Sequence, residues 1–313
     1  MEINMKTEKS TAQKPAAQKQ ETEKRKSYVL LMIGAILLIA GIILAVFTYN
    51  SSYQQSVVLG VSLKEAKSQA SAIQEGTAAG DLDALNAEIS RLTSEKLHME
   101  RPYSYSLTLV FFAILLTAKG LYNAFIGVRQ ADKSDIKRLA QAGLLAALCY
   151  IGFAFFKIDI PVGPEKTSFH FGNVFCVLAA LLLGGYWGGL AGAVGMTIGD
   201  FTTSYITSAP KTFLLKLCIG LIVGLVAHVI CKLSRDHSAK YVTGVTFLAS
   251  ACGMGFNIIA DPLVGYFYKT YLFGIPQDIT SVLVKMSAVT TSVNAVIAVI
   301  AASAIYLALR PAL

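Results

Sequence analysis

Between Tyr28 and Tyr49 the chain runs for 22 residues without a charged side chain, with a polar segment on either side. A helix rises about 1.5 Å per residue, so this run reaches roughly 33 Å, enough to cross the hydrocarbon core of a bilayer. A secretory leader has a shorter apolar stretch ending at a small-residue cleavage site, so this run predicts a permanent anchor. A second apolar run, Ser106 to Val128, is interrupted at Lys119. From Lys137 onward the texture changes to closely spaced apolar runs rich in Gly and Ala. These predict six further helices, at 138–156, 171–185, 188–206, 211–233, 241–268 and 282–309. The expected fold class is an all-α integral membrane protein with about eight transmembrane helices, the last six forming one bundle.

The polar intervals differ in kind. Residues 1–27 are rich in Lys, Glu, Gln, Thr and Ala. They cannot bury enough apolar surface to offset the entropy of ordering, and are expected to form a disordered cytoplasmic tail. The stretch from about 51 to 105 holds two helical patterns separated by Gly76-Thr-Ala-Ala-Gly80. The first is Ser62 to Gln74; the second is Asp81 to Met99, with Leu82, Leu85, Ile89 and Leu92 at spacings of three and four. This predicts a helical hairpin outside the membrane, serving as a solvated spacer or as an interaction module. The expected organisation is a tail (1–27), two transmembrane helices flanking the hairpin (28–136) and a six-helix domain (137–313).

Composition agrees with the pattern. Of 313 residues 54% are hydrophobic and 15% charged, where a soluble domain carries nearer a quarter charged. A net charge of +8 raises the question of nucleic acid. No basic stripe with interleaved aromatics is present, however, and the Lys and Arg residues sit beside the apolar runs, where they mark the cytoplasmic side and favour anionic lipid. Residues 1–27 contain seven of them; Arg129, Lys133, Lys137 and Arg138 follow the second span; Lys232, Arg235 and Lys240 fill a later connection; and Arg310 lies near the end. All fall on one side if both termini are cytoplasmic, as expected of a multi-pass plasma-membrane protein. The loops 157–169, 206–210 and 269–280 then face outward. Cys149, Cys176, Cys218, Cys231 and Cys252 lie in or beside apolar segments with no paired spacing, so no disulfide framework, metal site or other cofactor is expected. No phosphate-binding glycine loop, zinc-protease motif or nucleophile elbow occurs, and the chain is not expected to be an enzyme.

Polar and ionisable residues near a bilayer are costly and mark function by default. Here they gather at the outer level of the six-helix domain. The loop Lys157-Ile-Asp-Ile-Pro-Val-Gly-Pro-Glu-Lys-Thr-Ser-Phe-His170 has the prolines and glycine of a turn-rich lid or short hairpin. His170 and Asn173 sit at the mouth of a span, and Asp200 and Thr202-Thr-Ser-Tyr205 near the end of the next. Lys211 follows Pro210, Asn257 and Asp261 approach the outer end of another span, and Lys285 and Asn294 lie in the last. A polar cluster enclosed by apolar helices suits a small water-soluble ligand, and the candidate set is His170, Asn173, Asp200, Tyr205, Asn257, Asp261 and Lys166. Each has a plainer role open to it. His170 can sit in interfacial water, Asp200 can be a satisfied helix-end residue, Lys211 can snorkel, and Asn257 and Asn294 can join helices by hydrogen bonds. Small residues also repeat at intervals of four, as Ala142 and Ala146, Gly143 and Ala147, Gly188 and Gly192, and Gly220 and Gly224. That spacing lets helix backbones approach closely.

Residues 137–313 resemble the substrate-binding S component of energy-coupling factor (ECF) vitamin transporters. The resemblance rests on Ala142-Gly-Leu-Leu-Ala146-Ala, the outer Pro/Gly loop, and the run from His170-Phe-Gly-Asn through Leu183-Gly-Gly-Tyr-Trp-Gly-Gly to Gly199-Asp200. Pro210-Lys-Thr-Phe-Leu-Leu-Lys216 with Gly220 completes it. It implies a membrane subunit that captures a vitamin or vitamin precursor from outside, then delivers it with a separate T component and two cytoplasmic ATPases. It also implies that Ala142 and Ala146 pack against the T component. Two departures stand out: Gly184-Gly185 replaces a common Gly-Pro turn, and about 130 extra N-terminal residues precede the resembling part. The text is most similar to S components associated with pyridoxine, with the hydroxymethylpyrimidine moiety of thiamine, and to riboflavin-type relatives. All of these ligands are small planar heterocycles with hydroxyls. Phe153, Phe156, Phe169, Tyr205 and Tyr268 are then candidates to stack on a ring. Two other classes stay open. A stand-alone secondary transporter usually shows internal repeats and broken midplane helices. A membrane receptor or anchor would use the N-terminal hairpin.

Overall fold

The computed structural model describes residues 2–125, 133–162, 165–203, 205–273, 275 and 277–310; Arg129, Gly163, Pro164 and Ser204, named above, lie outside these. Its elements are α1 (Glu2–Thr48), α2 (Gln54–Gln74), α3 (Leu82–Phe125), α4 (Lys133–Ala154), β1 (Lys157–Val162), β2 (Glu165–His170), α5 (Gly172–Leu183), α6 (Gly185–Thr202), α7 (Ala209–Gly224), α8 (Ala239–Phe267) and α9 (Gln277–Leu309). Among the described residues, α1 with α2, α3, α4, α7, α8 and α9 give six helices long and apolar enough to cross a membrane. The other two expected spans are helical but fall short. At 12 residues α5 reaches roughly 18 Å, less than a bilayer core, and the 18 residues of α6 are diluted by glycine. The protein is an integral, multi-pass membrane protein built almost wholly of helices. Helix α1 is continuous from Glu2 to Thr48, through the segment expected to form a tail. Its Lys, Glu, Gln and Ala residues are good helix formers, and a helix already nucleated in the span propagates into them at little cost.

Two compact units are present, Met1–Val57 with His98–Asp132, and Val58–Leu97 with Lys133–Leu313. In the first, α1 and α3 pack antiparallel along a seam of small residues spaced by seven. On α1 these are Ser27, Gly34, Gly41 and Thr48, and on α3 they are Ser106, Ala113 and Gly120, all buried. A Cβ on Gly34 would come within 2.8 Å of the Thr117 backbone nitrogen, and one on Gly120 within 2.8 Å of the Leu31 Cα. Thr48 and Ser106 share a hydroxyl hydrogen bond of 2.8 Å. Seven-residue spacing keeps one face toward the partner, and small side chains let the backbones close in. The next buried small residue on this strip is Ser56, eight residues beyond Thr48. The π-helical turn Tyr49–Tyr53 absorbs the extra residue, and its tyrosines stack there, with Tyr53 4.9 Å from Tyr103 between ring centroids.

In the second unit α5 is the central post. Gly172 to Leu181 is buried along almost its whole length, and α4, α6, α7 and α9 pack around it. Gly184 makes the single-residue turn from α5 to α6 at φ 81°, a conformation that side chains with a Cβ disfavour. Helices α6 and α7 close to glycine contact, since a Cβ on Gly220 would lie 2.2 Å from the Gly189 Cα. At the far end of α5, His228 bonds the Leu181 carbonyl, in the helix's last turn, through Nε2 at 3.0 Å and Ser234 through Nδ1 at 2.9 Å. The tip of the N-terminal hairpin has its own small core of Leu63, Ala66 and Leu92.

Candidate functional site

The loop after α4 is an antiparallel hairpin in which Lys157 pairs with His170 and Val162 with Glu165. It is fastened to the bundle along both strands. On β2, the His170 N–H donates to Asn294 Oδ1 at 3.0 Å, Asn294 Nδ2 donates to the Ser168 carbonyl at 3.0 Å, and Thr167 and Thr290 share a 2.7 Å hydroxyl bond. On β1, the Tyr205 hydroxyl donates to Asp159 Oδ1 at 3.0 Å. The other Asp159 oxygen accepts from Lys157 at 3.0 Å, and the Lys157 ammonium lies 5.0 Å from the centre of the Tyr205 ring. Phe153, from the end of α4, packs edge-on against His170 at 4.8 Å and against Tyr205 at 5.9 Å. Asn294 and Tyr205 thus hold the hairpin in place, and Asp159, absent from the sequence-derived set, is Tyr205's partner.

Within the bundle, three helices bring ionisable groups together, and a fourth supplies hydroxyls. Lys211 of α7 donates to Asp261 Oδ1 of α8 at 2.9 Å, both side chains nearly buried. Asp261 Oδ2 accepts from Ser287 at 2.8 Å and Thr291 at 3.1 Å, both on α9. Asp200 of α6 is 2% exposed and accepts a hydrogen bond from Thr212 of α7. Lys216, one turn further along α7 and 7% exposed, feels the charges of both Asp200 and Asp261.

Around these charges several buried polar atoms have no hydrogen-bond partner among the described residues: His170 Nδ1, Asn173 Oδ1, Thr197 Oγ1, Asp200 Oδ2 and Asn257 Oδ1. Thr197 with Asp200 on α6, and Asn257 with the paired Asp261 on α8, lie one turn apart, so each of these helices presents both members on one face, while His170 ends β2 and Asn173 opens α5 just beyond it. Orphaned buried polar atoms cost about 1–3 kcal/mol each, so such a set calls for partners, an ordered water or a ligand. Burial, together with the nearby Lys216 charge, pushes the His170 imidazole down to about 3, so it is neutral at any physiological pH.

Of the residues singled out from sequence, His170, Asn173, Asp200 and Asn257 join this set, while Asp261 is committed to Lys211 and two hydroxyls. Lys166 is exposed on β2, within electrostatic reach of Lys67 of α2 rather than in the cluster. Lys285 is exposed as well, and of the candidate aromatics Phe156 points outward while Tyr268 donates to the Thr207 carbonyl at 2.9 Å. The set also lacked Thr197, Thr212 and Lys216. Their signal was present in the spacing, Thr197 three before Asp200 and Lys216 five after Lys211, but Thr is common in membrane helices and carries little weight alone.

The two small-residue rows on α4 differ in what they face. Ala142 is 5% exposed and packs against Leu145, Ala179 and Ala191, and Ala146 is half-buried with its carbonyl facing Gly195 of α6. Both side chains face the bundle to which α4 itself belongs. The row one residue on, Gly143 and Ala147, is exposed, and nothing lies within 4 Å of a Cβ placed on Gly143. Both rows have the same spacing of four, so spacing alone could not say which faces inward.

No curated protein and no solved structure matches the chain. The model of one protein family does, the ECF-type riboflavin transporter S component, over residues 133–311, which is more than half of the sequence and includes α4 to α9 with the hairpin. With its fastened hairpin and its buried polar cluster among apolar helices, the chain belongs to the S-component family of ECF-type riboflavin transporters.

Proposed function

We propose that this vitamin-transporter subunit captures an uncharged, hydroxylated planar heterocycle from outside the cell, with riboflavin, the ligand in the family's name, the first choice and pyridoxine or hydroxymethylpyrimidine next. The observation that carries the reading is the set of orphaned polar atoms on α5, α6, α8 and β2 under a hairpin tied down by Asn294 and Tyr205. Such a ligand supplies hydroxyl and ring N–H donors to those oxygens, and its flat face packs against Phe153 or Tyr205. Energy comes from partner subunits. A T component docks on the exposed Gly143 and Ala147 row of α4, and two ATPases drive the assembly, this chain carrying no phosphate-binding loop of its own. Calorimetry of the purified protein against riboflavin, pyridoxine and hydroxymethylpyrimidine tests the reading. One of them binds with submicromolar affinity and one-to-one stoichiometry; heat signals absent for all three would reject it.

A further inference from the structure

Four ionisable side chains meet beneath the hairpin, Lys211 and Lys216 on α7, Asp200 on α6 and Asp261 on α8, and their formal charges cancel. Asp261 has three donors on its two oxygens, from Lys211, Ser287 and Thr291. That leaves it little capacity for a ligand and makes Lys211 unavailable as a free cation. Separating a nearly buried ion pair is costly because each charge is left unpaired in a low-dielectric setting. The atoms that do lack partners are mainly acceptors: Asn173 Oδ1, Asn257 Oδ1 and Asp200 Oδ2 accept only, while Thr197 Oγ1 and His170 Nδ1 work either way. An occupant is therefore asked for N–H and O–H donors. A phosphate or carboxylate brings only acceptors and adds charge to a balanced site.

We infer that the Lys211–Asp261 pair sets the charge selectivity of this site, keeping it neutral so that it admits an uncharged donor-rich heterocycle and rejects the phosphate ester of the same molecule. The inference rests on the capture reading above and deepens it. Neither residue need touch the ligand, since the pair acts through the net charge that the ligand meets. A purely structural pair, once broken, would weaken neutral and anionic ligands alike. A charge-setting pair changes their ratio.

The test titrates riboflavin and riboflavin 5′-phosphate, and pyridoxine and its 5′-phosphate, into the full-length protein. The wild type favours the uncharged form of whichever vitamin it binds by at least tenfold. Asp261→Asn, which leaves the cluster one positive charge in excess, narrows that ratio tenfold or more. The double variant Lys211→Met/Asp261→Asn, neutral again, restores the wild-type ratio even if absolute affinities fall. Equal affinity for a vitamin and its phosphate in the wild type, or one ratio across all three proteins, overturns the inference and leaves the capture reading standing. If none of the four compounds binds the wild type this inference fails, and if hydroxymethylpyrimidine does not bind either, the capture reading fails with it.

Discussion

The side chains of the polar cluster answer to two demands that conflict, stability of the empty protein and affinity for its ligand. Asn257 shows the conflict most clearly. It is 1% exposed, and its Oδ1 has no partner. Replacing it with Leu, of similar size, removes an unsatisfied group worth about 1–3 kcal/mol, so the empty protein melts at a higher temperature while ligand affinity falls by a similar amount. A residue that merely joined helices would lower the melting temperature instead, and a thermal melt with and without riboflavin separates the two. His170 makes a second residue-level prediction. Its folded value near 3 lies below the ordinary 6.5, so between these the unfolded chain binds a proton that the folded chain refuses. Its contribution is therefore fully present above pH ~6.5 and is lost as the pH falls toward 3. Melting temperature drops between about pH 7.5 and 5.5, and His170→Gln flattens the slope. Asp200, Asn257 and His170 were legible in sequence because a polar side chain in an apolar run is conspicuous. Asp159 and Lys216 were not, because the first acts through a strand pairing and the second through a neighbour on another helix.

At the scale of elements, hydrophobic runs located the helices but not their faces. Rows 142/146 and 143/147 of α4 are equivalent on paper, about 100° apart on the helix, and only the packing of Ala142 on Ala179 and Ala191 distinguishes them. Accordingly, Gly143→Trp and Ala147→Trp leave riboflavin binding intact but abolish co-purification of a T component, whereas Ala142→Trp loses the folded protein; undiminished co-purification of the first two would remove that face from the interface. The turn at Tyr49–Tyr53 is a parallel case. Ser27, Gly34, Gly41, Thr48 and Ser56 are visible in the sequence, but the step of eight among steps of seven has a meaning only once the π turn is seen to absorb it. Deleting Ser51, exposed within that turn, restores an unbroken seven-residue repeat and leaves the melting temperature within a few degrees. Inserting an alanine after Ser51 moves Ser56 out of the seam and lowers it. Equal losses from both changes would show that the turn has no register role.

The whole molecule combines a closely packed helix pair with a six-helix bundle whose main core, from Cys149 to Tyr306, draws on α4 to α9 and the segment joining α7 to α8. Beside that core lie buried polar groups without partners among the described residues, the arrangement expected of a protein that binds a small polar ligand there. The number and order of helices followed from the hydrophobic pattern because a bilayer imposes length and apolarity on each span. The short α5 and the glycine-diluted α6 escape that rule, α5 being packed among other helices and so shorter at both ends than the expected span. The most direct measurement is a fluorescence titration of riboflavin with the purified protein and with Asp200→Ala. Saturable one-to-one quenching by the wild type, weakened by about 1–3 kcal/mol in the variant, is the predicted result. Identical curves for the two proteins would contradict the assignment of this cluster as the capture site, and no quenching by either would contradict riboflavin as its ligand.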